Sequence, residues 1–488
     1  MIERGSSRPS PRLGGVGRGK GDPVTTTSAA EIRSRLDHPI VDIDGHIVES
    51  IPLVIDTMRR VAGADVADRF AASSPSFASR TAGLLEALPE APRAPGVFIP
   101  PWWTAASSAR DRATAFLPNL LHDRMDEIGL DFSVVYSSVG LVCFSHPDDE
   151  LRRGSCRALN TYLAELCDGL GDRITPAAVI PAHTPEEAIA ELEHAVLTLG
   201  LKAAVLNDVV RRPGDPAPWI DVLAIDSPYD YSPLWQRFDD LGVAVTVHSP
   251  TMGLPLRQSS SRYSYNHIGT FAASSEAFAK ALIYGGVPHR HPNLNFAFLE
   301  CGVTWGVQLL SDLIGHWEKR GGANIARLDP STLDRAEWDS LLDTYGGERF
   351  ASPEIRASML GQSDNAPVEL DDFRDAGIDG PDDVAALFER FFFGCEADEG
   401  TIGWAFAKDV NPCGAVLKPV LGSDVGHWDV PDMRHVLAEA HELVDDGRLD
   451  AAQFRAFTCD NPIDLHAGMN PSFFDGTPVE GYARARHA

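Results

Sequence analysis

Residues 39–50 read PIVDIDGHIVES, a run of β-branched residues broken by Asp42, Asp44 and His46 on alternate positions. On an extended strand, residues two apart share a face. The spacing therefore predicts three ionisable groups on one side, with Val41 and Ile43 packed on the other. Such groups are costly to remove from water, so a strand that carries them either ends at solvent or holds a cation. Asp42 lies deepest and is expected to be a core hydrogen-bonding group; Asp44 and His46 close the strand.

Working outward, seven further apolar runs follow at 131–137, 173–181, 201–206, 242–248, 294–300, 390–395 and 414–424. Between them lie helical patterns. PEEAIAELEHAVLTLG (185–200) opens on an acidic turn, and PDMRHVLAEAHELVDDG (431–447) stops on Gly447. Strands alternating with helices imply parallel pairing through crossovers, and eight is the strand count of the (β/α)8 TIM barrel. A doubly wound sheet would place a glycine-rich GxGxxG after its first strand; none follows here.

The expected layout is a barrel over residues 39–470, preceded by a disordered tail (1–38) and followed by a C-terminal tail (471–488). Two insertions, at about 62–117 and 318–389, are expected over the C-terminal face of the barrel. The first contains LPEAPRAPGVFIPPWWTAASSARD (88–111), whose Trp102 and Trp103, with Trp428, are candidates for core packing or for a pocket wall. Substrate lid and oligomer contact are equally open roles for the insertions, and a homo-oligomer is compatible with them.

A net charge of −28 argues against nucleic acid or an anionic membrane as partner, and no run approaches the roughly 18 apolar residues of a membrane span. The seven cysteines are dispersed without a CxxC pair. They read as reduced thiols, hence an expected cytoplasmic location. The expected partner is a small-molecule substrate.

In a (β/α)8 barrel, residues at the C-terminal strand ends form the active site. Asp44 and His46 close the first strand, and His183 follows the third. His248 closes the fifth, Glu300 the sixth, Glu396 follows the seventh and Asp424 the eighth. Each alone is weak, since a lone strand-end histidine or an Asp-Gly turn has bland explanations. Together they predict a metal site, because unrelated turn residues have no reason to choose imidazoles and carboxylates at successive strand ends.

The chain resembles the amidohydrolase superfamily, specifically its branch of amidohydrolase-related decarboxylases and hydrolases. The resemblance covers about residues 39–470. It is carried by VDIDGHIVE (41–49), VHSP (247–250), HPNLNFAFLECGVTW (291–305), LGSDVGHWD (421–429) and CDNPIDLH (459–466). It implies that Asp44, His46 and His248 bind a divalent metal, and that Asp424 ligates it or acts as general acid–base. Glu300 and His427 are the further catalytic candidates, with His427 and His183 hydrogen-bonding substrate.

Three departures matter. The superfamily's usual first-strand motif is His-x-His, whereas this chain has Asp44-x-His46. Glu300 stands where many relatives have a histidine. No lysine ends the fourth strand, which Lys202 begins and Asn207 follows, so a lysine-bridged metal pair is not expected. The carboxylate-rich set suits zinc, manganese or iron. If Glu300 bridged a second ion, His183, His267 and Glu396 would be the candidate outer ligands. Two chemistries stay open: metal-assisted hydrolysis or non-oxidative decarboxylation of a small organic acid, amide or lactone, and hydroxylation of a bulky terpenoid-type acyl substrate by a non-haem di-iron monooxygenase, as the resemblance to an offshoot of the superfamily implies.

Overall fold

The computed structural model describes residues 27–73, 108–215, 217–248, 259, 262–360, 371–427 and 429–488. Trp102, Trp103 and Trp428 lie outside the described residues. Eight strands form one parallel sheet in sequence order: β1 (Val41–Ile47), β2 (Phe132–Ser137), β3 (Ile174–Ile180), β4 (Ala203–Leu206), β5 (Val245–Val247), β6 (Phe296–Phe298), β7 (Phe391–Glu396) and β8 (Lys418–Gly422). All eight coincide with the runs read from sequence. The sheet closes on itself where Asp424 N donates to Asp44 O and His46 N donates to Val425 O, both at 2.8 Å. The seam of the barrel is thus made by the backbone of the candidate ligands. This is a (β/α)8 barrel.

Side chains alternate across the barrel wall as the two-residue period requires. Val41, Ile43, Val134, Tyr136, Val179 and Val205 belong to one buried cluster in the lumen. Their neighbours Ile47, Val135, Ile180 and Leu206 belong to another, shared with the surrounding helices. Phe298, Phe391 and Phe393 meet edge-on or tilted at 5.2–5.9 Å in that outer layer, a geometry aromatic quadrupoles favour.

Residues 1–26 of the expected N-terminal tail lie outside the described residues, but the rest of it and the C-terminal segment pack onto the barrel. Ala29–Arg35 forms a helix, α1, started by a Ser28–Glu31 capping box, and it buries Ala29 and Ile32. At the other end Phe473, Phe474 and Val479 join the lumen cluster. They plug the N-terminal end of the barrel, with Phe132 edge-on to both phenylalanines. Lys202 donates its ammonium to the Phe473 carbonyl there, far from the catalytic rim.

Helix α2 (Asp149–Leu166) and helix α3 (Pro185–Glu193) are locked by a buried bidentate pair. Arg152 Nε and Nη2 reach the two Glu187 oxygens at 3.1 and 2.8 Å. The second insertion is in part structural: Phe373, Val384 and Phe388 pack into the helix layer, whereas the helix Arg335–Tyr345 buries no residue. No helix among the described residues is long and apolar enough to cross a membrane.

Candidate metal centre

The first strand departs from simple alternation. Asp42 pairs with Ser133 and Gly45 with Val135, so β1 carries one extra residue against β2. Such a bulge re-aims the side chains beyond it. Asp42 consequently leaves the face of Asp44 and His46, correcting the expectation that all three share one side. Val41 and Ile43 pack in the lumen, and His46 pairs with the lumen residue Tyr136. Gly45 allows the close approach: a Cβ there would lie 2.8 Å from Ser133 Oγ and 2.9 Å from Asp42 Oδ2.

Asp42 instead becomes the pin of the site, as a core hydrogen-bonding group. Its Oδ1 accepts from Asp44 N (3.1 Å) and Ser423 N (2.8 Å). Its Oδ2 accepts from Ser133 Oγ (2.5 Å) and Ser423 Oγ (2.8 Å). One carboxyl group thereby fixes β1 and the loop after β8 immediately beside Asp44 and Asp424.

At the rim the candidates converge. His46 Nε2 lies 3.0 Å from Asp424 Oδ1 and 3.5 Å from Asp44 Oδ1. His248 Nε2 lies 3.1 Å from Glu300 Oε2 and 4.0 Å from Asp44 Oδ1. Asp44, His46 and His248 each offer a ligand atom within 4.8 Å of the others; so, separately, do His46, Glu300, Asp424 and His427. His427 stacks on His46 with ring centres 3.6 Å apart. It presents Nδ1 to Asp424 Oδ1 at 2.8 Å and Nε2 to Ser138 Oγ at 2.9 Å.

Backbone strain marks the same residues. Glu300 (φ 51°) and Asp424 (φ 50°) adopt left-handed conformations, which cost a non-glycine residue about 1–3 kcal/mol and cluster at functional sites. Gly426, two residues after Asp424, has φ 113°, and a Cβ there would lie 2.5 Å from the His46 carbonyl. The tight turn lets His427 fold back over His46.

The electrostatics are those of a cation site. Burial pushes the Asp44 and Asp424 carboxyls well above the ordinary range, with His248 opposing the effect at Asp44. Burial also drives His46 well down, so its imidazole is neutral and available as a donor. At Glu300 burial works upward, but contacts with His248 and His267 outweigh it and hold the carboxyl down at about 2. Asp44 Oδ1, His46 Nε2, His248 Nε2 and both Asp424 oxygens are buried, yet none makes a hydrogen bond of proper geometry. Buried polar groups are almost always satisfied. Two imidazoles and two carboxylates left unsatisfied around one point fit a divalent transition ion, which takes such donors.

The outer candidates divide. His267 joins the centre, with Nε2 3.4 Å from Glu300 Oε1. Glu396 lines the adjoining cavity beside Glu300 and His267, and burial pushes it up to about 8. His183 belongs to none of the ligand groups among the described residues. Its backbone N–H donates to Glu187 and its carbonyl accepts from Arg212, while burial, Arg152 and Arg212 hold its imidazole at about 3. Its backbone is thus tied to the helix layer, while its Nδ1 is buried without a hydrogen-bond partner among the described residues.

Two contributors escaped the sequence reading. Asp429 forms a third ligand group with His267 and Glu300. Ser138 sits at the end of the His427 contact chain. Asp429 follows no strand end, so only its place in LGSDVGHWD could have flagged it.

Comparison with known proteins agrees with this geometry. Residues 130–350 match the amidohydrolase family model. The gamma-resorcylate decarboxylase of Rhizobium radiobacter is 29% identical over 154 residues, 30% of this chain and 45% of the relative. The match thus spans less than half the length of that relative. A solved amidohydrolase from Mycobacterium avium subsp. paratuberculosis superposes with a TM-score of 0.51 at 15% identity, covering 88% of this chain and 99% of its own; this likeness is one of fold. A dihydroxybenzoic acid decarboxylase from a Polaromonas species, solved with bound manganese and 2-nitroresorcinol, reaches 0.46 at 15% identity over 88% and 97% of the two chains. With its closed parallel barrel and its acid- and histidine-bearing rim, the chain is similar to the amidohydrolase family over residues 130–350.

Proposed function

We propose that the chain is a metal-dependent enzyme whose reaction is the non-oxidative decarboxylation of a small hydroxylated aromatic acid; hydrolysis of an amide or lactone is the second reaction the same donors suit. The observation that carries the proposal is the position of Asp424 Oδ1, 3.0 Å from His46 Nε2 and 2.8 Å from His427 Nδ1. It joins a ligand imidazole to a proton-carrying one. The name of the Rhizobium radiobacter relative supports decarboxylation as the chemistry.

Asp44, His46, His248 and Asp424 would hold a zinc, manganese or iron ion, with Glu300 beside them. When bound, such an ion supplies Lewis acidity and orients a carboxylate and its neighbouring oxygen. The remaining work belongs to the chain. Asp424 Oδ1, 2.8 Å from His427 Nδ1, is placed to pass a proton from that imidazole to the ring carbon bearing the carboxylate. The bond between that carbon and the carboxylate then breaks, its electron pair returns to the ring, and carbon dioxide leaves. Each turnover consumes one proton, and His427, with Ser138 at its far nitrogen, is placed to return it to Asp424.

The adjoining cavity measures about 310 Å³ and is lined by His267, Ile268 and Phe271 together with Glu300, Glu396 and Glu399. That size suits a compact ligand. The test is to load the protein with Mn²⁺ and incubate it with mono- and dihydroxybenzoates in deuterated water under nitrogen. Carbon dioxide release with deuterium at the vacated ring position is expected. Turnover that requires oxygen, or none with any aromatic acid beside cleavage of amides, would overturn decarboxylation.

A further inference from the structure

We infer that Glu49 is a positioning residue for the reaction: it holds the turn after β2 so that the Ser138 hydroxyl meets His427. This rests on the role given to His427 in the decarboxylation above. It extends that role to a residue outside the candidate ligand groups of the described residues. Three observations carry it.

The first is what Glu49 holds. It lies two residues beyond the end of β1 and is 2% exposed. Its Oε2 accepts from the Val139 N–H at 3.0 Å, and its carboxyl meets the Ser137 hydroxyl. Ser137 Oγ accepts in turn from the Gly140 N–H at 2.7 Å. The Ser138 N–H donates to the Ile47 carbonyl at 3.0 Å. Residues 137–140 are thereby tied, one after another, to the segment that follows β1.

The second is what the turn presents. Ser138 stands between two residues that Glu49 holds, and its Oγ lies 2.9 Å from His427 Nε2. The same imidazole stacks on His46 with ring centres 3.6 Å apart and points Nδ1 at Asp424 Oδ1 at 2.8 Å. Stacking alone lets a ring turn in its own plane; a contact at each nitrogen aims it. Residues 46–49 thus supply the support for the ring face through His46 and, through Glu49, the support for its far edge.

The third is cost. A buried carboxyl is expensive unless it is paired and fully hydrogen-bonded. No lysine or arginine pairs with Glu49 among the described residues, and its Oε1 is buried there with no hydrogen-bond partner. Stability alone would favour an apolar side chain, and departures of this kind are expected where function demands them. Burial pushes the carboxyl up to about 7. In either protonation state one oxygen remains to accept from Val139, so a neutral amide is a fair substitute.

The experiment compares Mn²⁺-loaded full-length protein with its Glu49→Ala, Glu49→Gln and Ser138→Ala variants on a hydroxybenzoate that the unmodified protein turns over. In Glu49→Ala, kcat should fall about tenfold to a hundredfold, the range for outer groups that orient functional side chains. KM and bound metal should stay unchanged, and Glu49→Gln should restore kcat. The double variant Glu49→Ala/Ser138→Ala should be no slower than the slower single one, since both act through one contact. Glu49→Asp, one methylene shorter, decides if the alanine variant does not fold. A crystal structure of Glu49→Ala should show Ser138 Oγ out of reach of His427 Nε2. An unchanged kcat, a glutamine variant as slow as alanine, metal lost together with kcat, or an unmoved Ser138 would each overturn the role of Glu49. If the unmodified protein turns over no hydroxybenzoate, the decarboxylation fails instead, and the crystal structure alone decides what Glu49 positions.

Discussion

Asp42 offers a quantitative test of how the barrel seam builds the site. Asp42→Ala deletes the acceptor for four donors: the backbone N–H groups of Asp44 and Ser423 and the hydroxyls of Ser133 and Ser423. The hydroxyls can rotate to other acceptors. The two N–H groups cannot turn away without moving Asp44 and the loop that carries Asp424. Each buried donor left unpaired costs about 1–3 kcal/mol, so the substitution should destabilise the metal-free protein by about 2–6 kcal/mol. Asp42→Asn keeps an oxygen for both N–H groups and should cost about 1 kcal/mol, on the scale of one net hydrogen bond. Burial also pushes the Asp42 carboxyl upward, so the neutral amide is a fair isostere. Urea unfolding of the metal-free variants measures stability, and competition with a chromogenic chelator measures metal affinity. Asp42→Ala should weaken the metal about tenfold or more, by analogy with other groups that orient ligands. Equal stability of the two variants, or a metal affinity unchanged in Asp42→Ala, would refute the pin.

Other consequences follow from the same coordinates. Asp44→Asn and His248→Ala should each lose tightly bound metal while circular dichroism reports an intact barrel; loss of the fold would make both residues structural. Chelation of the unmodified protein should lower the unfolding midpoint, since an ion held at a hundredfold its Kd adds about 2.7 kcal/mol, and an unchanged midpoint would contradict a tightly held ion. Gly45→Ala places a methyl group 2.8–2.9 Å from Ser133 Oγ and Asp42 Oδ2 and should cost roughly 1–3 kcal/mol by overpacking; a neutral result in urea unfolding would show that the bulge is slack. His466 is stacked on Phe473 at 4.3 Å, and burial with Lys202 nearby lowers its pKa to about 3. The unfolded chain therefore binds a proton near the ordinary value of about 6.5 that the folded chain refuses, so stability is full above that pH and falls as pH drops toward 3. The ceiling is roughly 5 kcal/mol at about 1.36 kcal/mol per unit. His466→Asn should flatten that acid limb, and an identical slope would place the titration elsewhere.

The fold was legible because the lumen and the helix layer impose opposite demands on alternate strand residues. Each of the eight strands answers them with β-branched or aromatic side chains, as in AAVI of β3 and RFFFG entering β7. The candidate ligands Asp44, His46, His248, Glu300 and Asp424 were legible for a related reason: parallel strands deliver their C-terminal ends to one rim. What escaped depends on departures from regularity. The bulge at Gly45 reverses the parity that placed Asp42 beside Asp44, and a period of two cannot announce it. Asp429 returns to the rim through a turn that runs on the positive φ of Gly426. His183 follows its strand as read, yet its backbone N–H is taken by Glu187 and its imidazole joins none of the candidate ligand groups among the described residues. The N-terminal tail was read from composition, which cannot register that Ile32 has an apolar site waiting for it, and Phe473 and Phe474 lie past the last strand, where no periodicity announces that they fill the lumen.

The central claim is that the barrel rim is a metal centre, and anomalous diffraction at a transition-metal edge, from crystals of protein purified without chelators, addresses it most directly. A strong peak enclosed by Asp44, His46, His248 and Asp424 is expected. A well-ordered rim with no anomalous peak, or a peak only at another position on the chain, would contradict it.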